Sequence, residues 1–366
     1  MQNELLALEK KHCIGWREYR LIGKNGLFEY ERGVRQVKSE RFVGEIPLVT
    51  AGYENTGVAE FVNSGNSSLF DENTITIDMF GNPFYRGYKY YADDNIISLK
   101  NTNFTKKTLL YIVANLTYLT KFYNYGKQFR IGELEKVKIT LPAANNEIAF
   151  DYIEEFIATL DAERLATLDA YLTTTNLKDY TLTSEEAQAL SDIDKVEWGE
   201  FKIEKLFGKS TRGRRLKSFD RIDGVLPFVT AGEKDTGISA FIGNKVQVFS
   251  ENTTTIDMFG SAKYRNYKYG ADDHVAVVHT EALNKYAAIF TTSCIHKSSH
   301  AGQFDYSRNF YATDADELNI LLPIKSDHTP DYDFMSTYIK AMQKVVIKNV
   351  VEWADKRIEK TKEVMK

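Results

Sequence analysis

The decapeptide Glu72-Asn-Thr-Ile-Thr-Ile-Asp-Met-Phe-Gly81 returns as Glu251-Asn-Thr-Thr-Thr-Ile-Asp-Met-Phe-Gly260, with one change in ten positions. Shorter matches flank it in the same order. They pair Thr50-Ala-Gly52 with Thr230-Ala-Gly232, and Ala92-Asp-Asp94 with Ala271-Asp-Asp273. A repeat of about 180 residues is typical of a duplicated globular domain and is too long for a solenoid unit. We therefore expect any feature found in both copies to serve the shared fold or a shared task.

The whole chain has the composition of a globular protein. Its 366 residues are enough for two domains that each bury a core. Cys13 and Cys294 are the only cysteines and occupy non-equivalent positions, which argues against disulfides and predicts a cytoplasmic protein. Neither a signal-peptide layout nor an apolar run of membrane-spanning length is found, so no membrane is expected. Since the net charge is −4, nucleic-acid binding would depend on where the cations lie.

Each copy begins with a tryptophan, Trp16 or Trp198, and ends with a Leu-Pro pair. Between them, short β-branched runs bounded by glycine or asparagine predict strands, including Ile46-Pro-Leu-Val49 and Leu226-Pro-Phe-Val229. After each Leu-Pro pair, apolar residues recur at three-four spacing over many turns, which predicts a long helix. A capping box at Thr183-Ser-Glu-Glu186 predicts a short helix before the second tryptophan.

The predicted fold class is α+β, with two pseudo-twofold-related α/β domains separated by long helices. Each long helix could pack on its own domain. We favour an antiparallel coiled coil between the two, because lone helices of this length rarely remain ordered without a seam. The expected boundaries are a short N-terminal helix at 1–15, domain 1 at 16–145, a long spacer helix at 146–178, a linker with a short helix at 179–197, domain 2 at 198–325 and a C-terminal long spacer helix at 326–366.

A basic loop precedes the Pro-Leu-Val or Pro-Phe-Val strand in each copy. Arginine offers paired donors to guanine and phosphate, and glycine lets a backbone approach closely. A solvated surface loop is the alternative, but its recurrence in both copies favours DNA contact. The candidate residues are Arg32, Arg35 and Lys38 in the first copy, and Arg212, Arg214, Arg215 and Lys217 in the second.

A Tyr-Arg-x-Tyr-Lys-Tyr block also recurs. Cations interleaved with tyrosines are common on nucleic-acid surfaces, because both groups reach phosphate oxygens. An amphipathic strand with its tyrosines in the core explains the pattern equally well. The candidate DNA contacts are Arg86 and Lys89, with Arg265 and Lys268 in the second copy.

The segment before each Leu-Pro closure differs between the copies. Tyr125-Gly-Lys-Gln-Phe-Arg130 aligns with Tyr306-Ser-Arg-Asn-Phe310. A cation beside an amide suits guanine and adenine recognition, and divergence here would fit two readers of different sequences or ordinary loop drift. The candidates are Lys127, Gln128 and Arg130, then Arg308 and Asn309, with His296 and Lys297 just upstream in the second copy.

Enzymatic interpretations find little support in the sequence. Asn82-Pro-Phe-Tyr85 resembles a methyltransferase motif, but the second copy lacks it and no cofactor loop accompanies it. His296 and His300 lack the neighbouring ligands of a zinc site. The paired aspartates of the Ala-Asp-Asp blocks could bind a metal, although turn capping is the better explanation. We predict no catalytic, cofactor or metal site in this chain.

Two divergent copies, each running from a tryptophan segment through a basic loop and a Thr-Ala-Gly turn to a Leu-Pro pair and a long helix, resemble the specificity subunit of a restriction–modification system. The resemblance covers essentially the whole chain. The decapeptide and the Ala-Asp-Asp blocks are most similar to the type IIB (BcgI-like) branch, and type I is the alternative. The high similarity of the two copies around Gly81 and Gly260 departs from the usual divergence of recognition domains, so these blocks are expected to be scaffold and the halves could read related sequences.

The resemblance implies that each copy is a target recognition domain that reads one half of a bipartite double-stranded DNA site. The long helices would fix the gap. Methylation and cleavage, with S-adenosylmethionine and Mg2+, would belong to methyltransferase or fused restriction–modification subunits docked on the long helices. Two alternatives stay open: a tandem ligand- or protein-binding module without DNA function, and a stand-alone DNA enzyme.

Overall fold

The computed structural model of the protein describes residues 2–63 and 68–364. The chain divides into two compact units, Met1–Leu168 and Asp169–Lys366. The elements that begin in unit 1 are α1 (Gln2–Lys11), β1 (Gly15–Arg20), β2 (Glu29–Arg32), β3 (Phe42–Val49), β4 (Val58–Asn63), β5 (Thr74–Asp78), β6 (Pro83–Arg86), β7 (Tyr91–Ala92), β8 (Ile96–Lys100), α2 (Lys106–Leu116), α3 (Ile131–Leu134), β9 (Lys138–Ala144), β10 (Glu147–Ile148) and α4 (Phe150–Thr174), whose last residues belong to unit 2.

The elements of unit 2 follow the same plan. They are α5 (Ser184–Asp192), β11 (Trp198–Lys202), α6 (Ile203–Phe207), β12 (Thr211–Arg212), β13 (Asp223–Val229), β14 (Ile238–Ile242), β15 (Thr253–Asp257), β16 (Ala262–Arg265), β17 (Gly270–Ala271), β18 (Val275–Val278), α7 (Lys285–Ser299), α8 (Ala312–Glu317), β19 (Asn319–Pro323) and α9 (Tyr332–Val364).

The sheets show that the duplication extends to topology. In unit 1 a four-stranded sheet has the order β2-β8-β5-β6, and in unit 2 the order is β12-β18-β15-β16. A second sheet has the order β4-β3-β7 in one unit and β14-β13-β17 in the other, each with one parallel pair. The strands that were predicted from the β-branched runs lie in β3 and β13 and are confirmed.

The beginning and the end of each copy are paired strands. Trp16 on β1 faces Pro142 on β9, and Trp198 on β11 faces Pro323 on β19. The tryptophan segment and the Leu-Pro pair, far apart in sequence, therefore close each domain together.

The decapeptide forms the central strand of the four-stranded sheet in each unit. All five residues of β5 and all five of β15 are buried, which suits β-branched side chains packed on both faces of a sheet. The core of unit 1 joins Ile75 and Ile77 of β5 to Leu109 and Ile112 of α2. Burial on both sides explains why this stretch changed least between the copies.

The predicted helices are present. The capping box at the start of α5 is formed: Thr183 accepts from the Glu186 N–H at 3.1 Å, and the Glu186 carboxylate accepts from the Thr183 N–H at 2.9 Å. The long helices have 25 residues in α4 and 33 in α9.

Within unit 2, the chain from the end of α4 through α5 follows α9 in the opposite direction. Lys344 on α9 contacts Glu186 at 2.9 Å. Further along α9, Asp355 lies 3.6 Å from Lys178. As residue numbers increase along α9, those of the residues that it contacts decrease, so the two segments are antiparallel.

Candidate nucleic-acid interface

One carboxylate holds the basic loop in each unit. In unit 1 the backbone N–H of Gln36 donates to the Asp93 carboxylate at 3.1 Å, and in unit 2 the N–H of Leu216 donates to Asp272 at 3.2 Å. The recurring Ala-Asp-Asp blocks are therefore loop anchors, in agreement with the turn-capping interpretation.

The glycine of each basic loop fills a position where no side chain fits. A Cβ on Gly33 would lie 2.1 Å from the carbonyl oxygen of Asp93, and one on Gly213 would lie 1.9 Å from that of Ala271. Contacts this short cannot be relieved, because the neighbouring atoms are backbone. The close approach that the glycine allows is to the protein's own chain.

The basic side chains of both loops are exposed on this fixed backbone. Arg32 donates through Nε to the Asp94 carbonyl at 2.7 Å, and the Lys217 ammonium lies 5.4 Å from the centre of the Phe219 ring. The guanidinium of Arg32 also lies 3.4 Å from the Asp94 carboxylate, and its side chain is 47% exposed. The exposed cations are Arg32, Arg35, Lys38, Arg212, Arg214, Arg215 and Lys217.

Arg86 and Arg265 are not surface residues, and the prediction that they contact DNA is wrong. They are only 1% and 2% exposed. The guanidinium of Arg86 donates to Thr76 Oγ1 at 2.9 Å and to the Thr56 carbonyl at 2.7 Å. Arg265 donates to Thr255 Oγ1 at 2.9 Å. A buried cation must be hydrogen-bonded, and here it ties the central strand to its neighbours.

The tyrosines around these arginines are partly core residues. Tyr90 and Tyr269 are completely buried, with hydroxyl groups 3.0 Å and 2.9 Å from Thr74 Oγ1 and Thr253 Oγ1. Burial raises the pKa of both tyrosines. In this block, therefore, only Lys89 and Lys268 are exposed cations, and they stay candidates for DNA contact.

The turn that ends the decapeptide is organised by one aspartate in each unit. The Asp78 carboxylate accepts from the N–H groups of Gly52, Phe80 and Asn82, each at 2.9 Å. The Asn82 amide also donates to it at 2.9 Å, so the methyltransferase-like motif has a structural role. Asp257 holds Gly232 in the same way at 3.1 Å. Sequence reasoning missed both aspartates, although both stand in the repeat.

The segments before the Leu-Pro closures are held by equivalent backbone hydrogen bonds. Phe129 N–H donates to the Met79 carbonyl at 2.8 Å, and Phe310 N–H to the Met258 carbonyl at 2.9 Å. Lys127 and Arg308 therefore occupy equivalent positions in the two units, as do Gln128 and Asn309, in agreement with the sequence alignment. Lys127 and Arg308 are exposed, whereas Gln128 and Asn309 are half-buried.

Arg130 and Arg32 line one cavity of unit 1, of about 330 Å³, together with Asn95 and Phe129. Arg130 donates to Asn95 Oδ1 at 2.9 Å and to Gln128 Oε1. The structure therefore brings together two arginines that lie far apart in the sequence.

The same position differs in unit 2. By the common anchor, Tyr311 stands where unit 1 has Arg130, and His274 follows the paired aspartates where unit 1 has Asn95. In the part of the chain that the structure describes, the side-chain oxygen of Asn309 is buried without a hydrogen-bond partner. The two units thus present different hydrogen-bonding groups on equivalent backbones.

His296 lies on α7 and is half-buried, and its Nδ1 accepts from the Ala262 N–H at 3.1 Å. Burial lowers the pKa of His296, and the nearby His300 and Lys263 side chains lower it further. The backbone contact fixes the orientation of this imidazole, and His296 stays a candidate. The neighbouring Lys297 is exposed.

Clusters of potential metal ligands and membrane-spanning helices are absent from the part of the chain that the structure describes. Across 2–63 and 68–364, His, Cys, Asp and Glu side chains form no group of three that could hold a metal ion. Over the same residues, no helix is both long and apolar enough to cross a membrane.

A family model described as the type I restriction modification DNA specificity domain matches residues 15–176 and again 195–352. The chain belongs to this family. It is a restriction–modification specificity subunit with two target recognition domains, one for each match.

Two known proteins show the likeness over nearly the whole chain. The specificity subunit of a type II restriction enzyme, S.BcgI from Heyndrickxia coagulans, is 25% identical over 86% of this chain and 91% of its own length. The crystal structure of a type I restriction–modification S subunit from M. genitalium has a TM-score of 0.56 and 15% identity, over 96% of this chain and 94% of that one. The second likeness concerns the fold alone.

In this specificity subunit, the residues that are the same in both domains and the residues that differ have separate roles. The aspartates, glycines and buried arginines that the two target recognition domains share hold the backbone. The positions that differ, Arg130 against Tyr311 and Gln128 against Asn309, lie on that backbone and carry the hydrogen-bonding groups.

Proposed function

We propose that each target recognition domain reads one half of a bipartite double-stranded DNA site. The observation that carries this proposal is the pair of basic loops, held by Asp93 and Asp272 in the same way with their cations exposed. Exposed arginines on a fixed backbone supply phosphate contacts without the entropy cost of ordering a loop. The differing side chains nearby would supply the base contacts, with the two halves reading different bases.

The long helices would act as the spacer between the two domains, in an antiparallel coiled coil. The antiparallel run along α9 within unit 2 supports this arrangement. At about 1.5 Å per residue, α4 and α9 span about 37 Å and 50 Å, which corresponds to about 11–15 base pairs of DNA at about 3.4 Å each. We therefore expect a non-specific gap of slightly more than one helical turn in the recognised site.

Catalysis would belong to partner subunits. Methyltransferase or fused restriction–modification subunits would bind S-adenosylmethionine and Mg2+ and dock on the long helices, leaving this chain without a reaction of its own. Exposed apolar residues on α9 support docking there: Val346 is 69% and Trp353 50% exposed. Similarity to the specificity subunit of a type II restriction enzyme from Heyndrickxia coagulans supports a type IIB system over type I.

Two measurements on the purified full chain test this proposal. Fluorescence anisotropy with a 40-base-pair duplex should show binding that weakens steeply as salt rises, as expected when cations displace phosphate counterions. Incubation with DNA and labelled S-adenosylmethionine should transfer no methyl group. Binding that ignores salt, or no binding at all, would favour the tandem protein- or ligand-binding module. Methyl transfer or cleavage by the single chain would establish the stand-alone enzyme instead.

A further inference from the structure

Each target recognition domain displays one tyrosine at the tip of a tight turn. The side chains of Tyr125 and Tyr306 are 80% and 85% exposed. They follow Asn124 and Asp305, and each stands two residues before a cation, Lys127 or Arg308. The residue between tyrosine and cation is not the same in the two copies.

Both turns are closed by the side chain that precedes the tyrosine. Asn124 Oδ1 accepts from the N–H of Gly126 at 2.9 Å and of Lys127 at 3.1 Å. Asp305 Oδ1 accepts from Ser307 and Arg308 at 2.7 Å and 3.0 Å. Hydrogen bonds from Ser307 and Arg308 hold the pKa of Asp305 below its ordinary value, so this acceptor stays charged. Different residues thus build the same Asx turn.

The tyrosine rings are also held in place. Tyr125 meets Phe80 edge-to-face with ring centroids 4.9 Å apart, and Tyr306 meets Phe259 at 5.1 Å. Both phenylalanines belong to the repeated decapeptide. The conserved turn therefore supports the tip, and the ring need not be ordered when a ligand binds.

The cation beside each tyrosine is positioned by a second aromatic ring. Lys127 lies 5.4 Å from the centre of Tyr123, and Arg308 lies 5.3 Å from that of Phe304. The chain then runs through Gln128 toward the cavity that Arg32 and Arg130 line. In unit 1 the tip therefore leads directly along the chain to residues that line this cavity.

We propose that Tyr125 and Tyr306 are DNA contacts, one for each half-site, in which the ring packs on the sugar or an exposed base while the adjacent cation meets a phosphate. This inference rests on the proposed function. A rigid, mostly exposed aromatic ring contributes little to its own fold, and its recurrence on different turn sequences indicates a shared task. Tyrosine offers a large contact area at low entropy cost, and stacking of an aromatic ring on an unpaired base is worth about 1–3 kcal/mol.

The test compares Tyr125→Ala, Tyr306→Ala and Lys127→Ala with the control Tyr171→Ala, which removes a tyrosine 57% exposed on α4. Affinity of the full chain is measured for its selected duplex and for duplexes with one half-site scrambled, over a range of salt. Each tip variant should weaken binding about tenfold, and scrambling the half-site of the altered domain should then cost less than in the unaltered protein. The tyrosine variants should keep the salt slope, whereas Lys127→Ala should lower it by about one.

Three outcomes would overturn this inference. Tip variants that match Tyr171→Ala in affinity would remove the tyrosines from the DNA surface. Variants with unaltered DNA affinity but weakened binding to the methyltransferase subunit would assign the tips to the partner. The circular dichroism spectrum and the unfolding curve of each variant must match those of the unaltered chain. Tyr306→Phe keeps the ring and should retain most of the DNA affinity. If Tyr306→Phe lost as much affinity as Tyr306→Ala, packing by the ring would be excluded. If the unaltered protein shows no sequence preference, the proposed function itself has failed.

Discussion

The guanidinium of Arg86 donates to the hydroxyl of Thr76, 2.9 Å away, inside the four-stranded sheet of the first target recognition domain. The second domain repeats the contact between Arg265 and Thr255 at the same distance. A residue type that is usual in DNA contacts is here part of the fold. The structural arginines and the proposed DNA-binding arginines should therefore separate cleanly in experiments.

Arg86→Met should destabilise the first domain by about 3 kcal/mol, because it leaves buried acceptors without their charged donor. In denaturant unfolding of the full chain, one transition should occur at a lower midpoint than in the unaltered protein. The matched control is Lys89→Met, three residues away and exposed, which should leave unfolding unchanged. Normal stability of Arg86→Met together with a reduced salt slope of DNA binding would return Arg86 to the interface.

The basic loops should show the opposite behaviour. Replacing Arg212, Arg214 and Arg215 with Ala should leave unfolding nearly unchanged, since these side chains are exposed. DNA affinity should fall, and the slope of log affinity against log salt should decrease by about one for each lost phosphate contact. Replacing Arg32 and Arg35 should affect the other half-site. If DNA affinity and the salt slope are unchanged in both sets of variants, the loops are ordinary solvated surface.

Gly33→Ala should disturb its basic loop, because the new Cβ would lie 2.1 Å from a backbone oxygen. We expect a loss of about 1–3 kcal/mol in stability from overpacking, together with weaker DNA binding. Gly213→Ala should do the same in the second domain. Gly132→Ala is the control, because a Cβ there meets no atom within 4 Å. Equal behaviour of Gly33→Ala and Gly132→Ala would show that the loop position is not fixed by this contact.

Lengthening α4 tests the spacer. Four residues inserted after Leu168 add about 6 Å and rotate one domain by about 40°. The preferred gap in the DNA site should grow by one or two base pairs, and the bases read in each half should stay the same. An insertion of seven residues adds about 10 Å with a rotation of only about 20°, which separates length from rotation. Altered half-sites with an unaltered gap would show that the helices do not set the spacing.

Much of the architecture was predictable because the chain repeats itself. The β-branched runs in each copy predicted β3 and β13, and the apolar spacing after each Leu-Pro pair predicted α4 and α9. Comparison of the copies also aligned Lys127 with Arg308, which the anchors of Phe129 and Phe310 confirm.

What sequence could not provide was the side of the sheet on which a charge lies. Arg86 and Lys89 are three residues apart in a strand and the turn after it, yet one is buried and the other exposed. Repetition shows that a residue is needed, but it does not separate a role in the fold from a role at the surface. The role of Asp78 was missed for a related reason, because it joins its own turn to the distant turn at Gly52.

The central claim is that two domains on one chain read two separated halves of a DNA site. The most direct test is selection from a random duplex library by the purified full chain, alone and with its partner subunits, followed by sequencing of the bound DNA. We predict two short conserved blocks separated by a gap of fixed length and free sequence, and loss of one block only when Arg212, Arg214 and Arg215 are replaced. A single continuous block, or no enrichment over the starting library, would contradict the account.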